Sequence, residues 1–341
     1  MLPRAASRFL SLSLLALAVV GAGQTARAAD STVADALSSQ VRKVFEDRRS
    51  AVVKVRSSDS LGIRFGSGFF ADPTGLIFTH AGIVIKADAV NVMFGGRDLP
   101  ARVLVADERS GIAILKVDAP TSSIPIGDSG KVTMATPLIL IGYPEDLDAS
   151  PSFGIVGSLD KKHLGRYFST THIRANLPVS RGEGGAPVLN LDGEVVGILV
   201  GRVDAGAACH ILPIRAAEKV RSDLVRFGEL RPAWVGVEVE DAPEPLGGST
   251  AKVGALNPET PASRSGLEPG DILLKIGSTP ITTSEDVIDA AFFLTAGDNA
   301  EIEILRGGTK QSLSVRPALH PLARGQEMQA TVLPDETLHL D

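Results

Sequence analysis

The chain has 341 residues, long enough for two domains that each bury a core. Hydrophobic residues at 44% and charged residues at 22% are ordinary for a globular protein, and a net charge of -6 without a basic cluster argues against nucleic acid as a partner. Aromatic residues are scarce at 4%, while 35 glycines and 21 prolines punctuate the chain. The cores must therefore be built from Val, Ile, Leu and Ala in short elements, which favours β-structure.

The first residues read as an export signal over 1–28. Arg4 and Arg8 are basic, Phe9 to Ala22 is apolar, and Ala26-Arg27-Ala28 fits a small-x-small cleavage pattern. The alternative is a retained membrane anchor, for which the apolar run is short. Cleavage before Ala29 removes Arg4, Arg8 and Arg27 and takes the charge from -6 to -9. Export places the protein in the periplasm or outside the cell. Cys209, the single cysteine, has no internal disulfide partner and reads as a small buried hydrophobe.

Asp30 to Arg49 carries apolar residues at helical spacing: Val33, Leu37, Val41 and Val44-Phe45. From Ala51 to about Arg202 short strands alternate with turn signals, the pattern of a sandwich or barrel. Examples are Ala51–Val55, the Asp72-Pro-Thr-Gly75 turn, Ala89–Phe94, Ile112–Val117 and Pro137–Ile141. Asn176 to Leu199 reads as a glycine loop running into a hairpin. Pro187-Val188-Leu189 begins one strand, Asp192-Gly193 turns, and Val195–Val200 returns. Ala216–Phe227 is a short helix closing this unit. Beyond Pro232 the composition shifts to a second unit. It contains Pro261-Ala-Ser-Arg-Ser-Gly-Leu-Glu-Pro-Gly-Asp-Ile-Leu273, a helix over Ser284–Leu294 capped by Ser284, and a hairpin ending near Pro317. The tail from His320 is polar and is expected to be disordered.

Several landmarks together resemble the HtrA (Deg) family of exported trypsin-like serine proteases. They are Gly66-Ser-Gly-Phe-Phe70, Gly75-Leu-Ile-Phe-Thr79, Ile112–Val117, Gly127-Asp-Ser129, Ile141-Gly-Tyr-Pro144, Gly154-Ile-Val156 and Leu191–Ile198. The resemblance implies a mainly β fold: a trypsin-like double β-barrel over 29–228, followed by a small α+β PDZ domain over 229–319. It also implies a homotrimer to which the first helix contributes.

Acyl transfer by such proteases needs a hydroxyl nucleophile, an imidazole base and an orienting carboxylate. Aligned on the family motifs, the base position is Gly82, the carboxylate position Gly111 and the nucleophile position Gly184. His80, continued along a strand, would stand about 6–7 Å from the base position. Ser110 lacks charge, and Ser180 lies outside the turn. Gly182 and Gly184 retain backbone N–H groups that could serve as an oxyanion loop. This pattern predicts a pseudoenzyme without catalytic residues, with an active serine endopeptidase using a rearranged site as the alternative.

The resemblance further implies that Trp234-Val235-Gly236-Val237 is the loop on which a PDZ domain holds a peptide carboxylate. The expected partners are peptide or protein C-termini, unfolded envelope proteins or an active HtrA paralogue, in a scaffold or regulator role in envelope protein quality control. No cofactor is expected. The six histidines are scattered without metal-ligand spacing, Lys161-Lys162-His163 reads as a solvated loop, and Asp146 and Asp148 read as loop carboxylates.

Overall fold

The computed structural model describes residues 33–119, 121–159, 170–203 and 206–321. The expected signal over 1–28, the Lys161-Lys162-His163 loop and the tail from 322 lie outside these residues. Helix α1 spans 33–48 and lays Val44 into the core, with Val41 and Phe45 packed against the same cluster.

The first half of the trypsin-like unit contains β1 (Val52–Asp59), β2 (Gly62–Phe70), β3 (Leu76–His80), α2 (Ala81–Val84), β4 (Ala89–Phe94), β5 (Arg97–Pro100), β6 (Arg102–Asp107) and β7 (Ile112–Lys116). They form a seven-stranded sheet in the order β5-β4-β1-β2-β3-β7-β6. The Asp72 turn forms for a local reason. Its carboxylate accepts hydrogen bonds from the Thr74 N–H, the Thr74 hydroxyl and the Leu76 N–H, so β2 reverses directly into β3.

The second half is a closed barrel, β10-β13-β12-β11-β8-β9. Its strands are β8 (Pro137–Gly142), β9 (Ser150–Ser158), β10 (Ile173–Asn176), β11 (Pro187–Leu189), β12 (Val195–Val203) and β13 (Ala208–Pro213). The expected hairpin is present: Asn190 Oδ1 accepts from the N–H groups of Asp192 and Glu194, and Gly193 takes the positive φ of 75° that the turn needs. Cys209 is fully buried in this core as a free thiol, and burial together with the Glu183 charge pushes it up to about 12.

Helix α3 (Ile214–Phe227) ends at Gly228, whose left-handed conformation lets its N–H reach the Leu224 carbonyl. The PDZ unit follows. A two-stranded ribbon pairs β14 (Ala233–Trp234) with β21 (Ala318–Leu319). The sheet contains β15 (Val237–Leu246), β16 (Ser249–Leu256), β17 (Ile272–Ile276), β18 (Thr279–Pro280), β19 (Ala300–Arg306) and β20 (Thr309–Val315), with α4 (Pro261–Arg264) and α5 (Ser284–Phe293) beside it. The N-cap of α5 is Thr283, one residue before the expected Ser284, and the Asp286 carboxylate reaches back to accept the Thr283 N–H at 3.0 Å. Ser284 instead donates its N–H and hydroxyl to Asp241.

The PDZ unit docks on the trypsin-like unit through α5. Asp289 is buried and accepts from the Thr170 hydroxyl at 2.7 Å, the Thr171 N–H at 2.9 Å and Arg215 at 3.0 Å. The Arg215 guanidinium also lies 4.6 Å from the Phe293 ring centroid, and Phe292 and Phe293 pack against the main core cluster.

Candidate functional site: a glycine-lined cleft and a PDZ groove

The three glycines of the expected triad converge where the seven-stranded sheet meets the barrel. β3 pairs with β7 through His80 and Ile112, and the Ala81 N–H donates to the Gly111 carbonyl at 2.8 Å, so positions 82 and 111 adjoin. The glycine loop is fixed from the other side: the Ser67 N–H donates to Gly184 at 2.8 Å and the Ser67 hydroxyl to Gly182 at 2.9 Å. Gly185, at φ 85°, lies so close to Thr79 and the His80 N–H that a Cβ there would collide with both.

The three positions differ in what they would accept. A Cβ at Gly184 meets nothing within 4 Å, so this position faces open space. Gly111 has a φ of 77°, which strains any L side chain. A Cβ at Gly82 would stand 2.8 Å from His80 Cε1. The expectation that His80 lies out of reach is thereby corrected. β3 does not continue past His80; the chain turns into α2 at Ala81, and the imidazole folds back over Gly82. Burial holds this imidazole below its ordinary pKa, so it is a neutral proton acceptor at neutral pH. Gly184→Ser is accordingly expected to change stability by no more than about 0.5 kcal/mol in a urea titration.

Two features of the cleft escaped the sequence. Asp107 is buried, accepts the Ser110 hydroxyl at 2.8 Å and pairs with Arg109 at 2.9 Å, so Ser110 is a structural partner beside position 111. Glu183 is also buried, with its carboxylate accepting the Ser180 N–H at 2.6 Å. Only the spacing of its flanking glycines could have hinted that this side chain points inward. Asp146 is held by Lys54 at 2.7 Å.

The second part of the site is the PDZ groove. β15 is the edge strand of its sheet and α5 packs beside it, the arrangement in which an extended peptide adds a strand. Residues 234–237 connect β14 to β15. Gly236 has a φ of 77°, its carbonyl accepts from the Asn257 N–H and the Thr260 hydroxyl, and the Val235 carbonyl accepts from the Ala262 N–H. Trp234, Val235 and Val237, together with Val287 and Ala291 of α5, line a cavity of about 1410 Å³. Lys86 and Arg109 of the trypsin-like unit line it from the other side. Val287 and Leu294 belong to the PDZ core. Among the described residues no cluster of His, Cys, Asp and Glu could hold a metal ion.

Comparison with known proteins matches residues 66–198 to a trypsin-like peptidase domain and residues 233–316 to a PDZ domain. The chain is 32% identical over 263 residues to a "Probable periplasmic serine endoprotease DegP-like" of Pseudomonas putida (strain W619), covering 73% of this chain and 55% of that protein. A protein of the same description from Halomonas elongata is 30% identical over 263 residues, with the same coverage. The chain thus spans about half the length of these relatives. Among solved structures, "HtrA-type protease AlgW with tripeptide" superposes with a TM-score of 0.70 at 22% identity, covering 82% of this chain and 97% of that one. These relatives correct the expectation that the chain is a pseudoenzyme. The proteins it matches are named serine endoproteases, so glycine at positions 82, 111 and 184 does not establish a loss of activity.

Proposed function

Because the chain belongs to the HtrA family, joining a trypsin-like peptidase domain to a PDZ domain, we propose that it captures polypeptide C-termini in the cell envelope. The two domains are assigned to 29–228 and 229–319. The peptide enters beside β15 and its terminal carboxylate meets the backbone of Trp234, Val235, Gly236 and Val237. Exported unfolded proteins are the partner class, the periplasm is the compartment, and the role is that of a scaffold or regulator in envelope protein quality control. The observation that carries this reading is the 234–237 turn, which leads into the edge strand β15 and lines a cavity together with α5. Isothermal titration with a peptide bearing a free C-terminal carboxylate tests it. Binding is expected, and amidation of that carboxylate should weaken it at least about tenfold, since a hydrogen bond to a charged group contributes roughly 1.5–3 kcal/mol. Equal affinity for acid and amide would refute the assignment.

The His80 geometry favours a second reading, hydrolysis in the trypsin-like cleft by a rearranged site. A neutral imidazole over Gly82 can accept a proton, and the glycine loop keeps its seat against Ser67. Degradation of an unfolded protein that disappears in His80→Ala, with fluorophosphonate labelling that disappears in Ser180→Ala, is the result this reading requires. Hydrolysis unaffected by His80→Ala would end it.

A further inference from the structure

The carboxylate beneath the glycine loop has an unusual setting. Glu183 is 2% exposed, lies between Gly182 and Gly185, both at positive φ, and packs its methylenes against Gly142. A Cβ on Gly142 would come within 3.1 Å of Glu183 Cγ, so the side chain packs tightly into the room that Gly142 leaves. Its one hydrogen bond among the described residues is from the Ser180 N–H, and it forms no ion pair among them.

The surrounding groups do not favour a negative charge. Cys209 of β13 is a buried thiol that senses the Glu183 charge. Glu145, after β8, adds a like charge, while Asp146 beside it is already paired with Lys54. Arg181 is exposed, and Tyr143 contributes its carbonyl against Gly182. His80, near Gly185, is held neutral by its own burial. Desolvation first, and then Glu145, holds the Glu183 carboxyl above the usual carboxylate range, against the opposing Ser180 hydrogen bond.

We propose that Glu183 is a pH-sensitive latch, seating the 180–185 loop while its carboxyl is protonated and releasing the loop when it ionises. A buried charge without a cation is costly, and the cheapest relief is rotation of the side chain into water. The loop loosens with it, because rotation breaks the bond by which the carboxylate holds the Ser180 N–H at 2.6 Å and so ties the start of the loop to its middle. The sign follows from linkage. An acid whose folded pKa is raised contributes stability that is present below its unfolded pKa and is lost as pH rises through the folded value. The latch therefore holds under acid and opens as the medium becomes less acidic. This depends on neither reading of the function, because it concerns the loop's own order.

Hydrogen–deuterium exchange of the full chain tests it, following the amides of 183–186 with correction for intrinsic rates. Protection is expected to be lost as the pH is raised from about 4, below the ordinary glutamate value, to about 8. Glu183→Gln, which cannot ionise, should flatten that profile. The exposed Glu145→Gln removes only a neighbouring charge, leaves the fold intact and should move the midpoint to lower pH. Protection independent of pH in the unmodified chain, or a midpoint unmoved by Glu145→Gln, would overturn the proposal.

Discussion

Gly236→Trp is expected to reduce affinity for a peptide with a free C-terminal carboxylate by at least about 100-fold, a loss of roughly 2.7 kcal/mol. The effect begins at the first side-chain atom. A Cβ at Gly236 would stand 2.6 Å from both Cβ and Cγ2 of Thr260, and the backbone φ of 77° is strained for any L residue. Thr260 cannot retreat freely, because its hydroxyl donates to the Asn257 carbonyl at 2.7 Å and its side chain caps α4. The turn must therefore move, taking with it the N–H groups that would meet the carboxylate. Gly236→Ala carries the same Cβ and should lose most of the affinity, whereas a mechanism based on ring bulk would spare it. Isothermal titration of both variants decides between them. Wild-type affinity in Gly236→Trp would show that the ligand does not enter at this turn.

Elements whose causes are local were legible in the chain. The Asp72 turn and the Asp192-Gly193 hairpin are each closed by side chains within four residues, and both formed where their residues placed them. The family motifs located Gly82, Gly111 and Gly184, and the fold brings those positions together. What the chain concealed depends on packing between distant segments. His80 was placed on a strand continuing to position 82, while the turn into α2 sends its imidazole back over Gly82. The burial of Glu183 had no local signal among its neighbouring glycines, because its side chain packs against Gly142, 41 residues away in the chain. The step from missing side chains to missing activity went furthest astray, since it took three positions for the whole site and met relatives named as serine endoproteases.

Asp289 was equally invisible, because its partners Thr170 and Arg215 belong to the other domain. Asp289→Ala is expected to weaken docking of the PDZ unit by about 2–3 kcal/mol. The carboxylate side chain is only 8% exposed and accepts from two backbone or hydroxyl donors as well as from Arg215. Its removal leaves the Thr171 N–H and the Thr170 hydroxyl without an acceptor in a closed interface. Arg215 is 47% exposed and can rehydrate, which keeps the loss at the lower end for a broken buried pair. The exposed Arg226–Asp298 pair at 2.9 Å does little to offset it, since such pairs contribute about 0.2–1 kcal/mol. Within the PDZ unit itself the Asp289 carboxylate has no hydrogen-bond partner among the described residues, so that fold should survive. Calorimetry is expected to show the single transition of the intact protein splitting in two, and small-angle scattering should show a larger radius of gyration. Asp289→Asn keeps an acceptor for Thr170 and Thr171 and should lose only the ionic share, about 1 kcal/mol. If Asp289→Ala unfolded in one unchanged transition, the aromatic contact of Phe292 and Phe293 with the main core cluster would have to carry the docking alone.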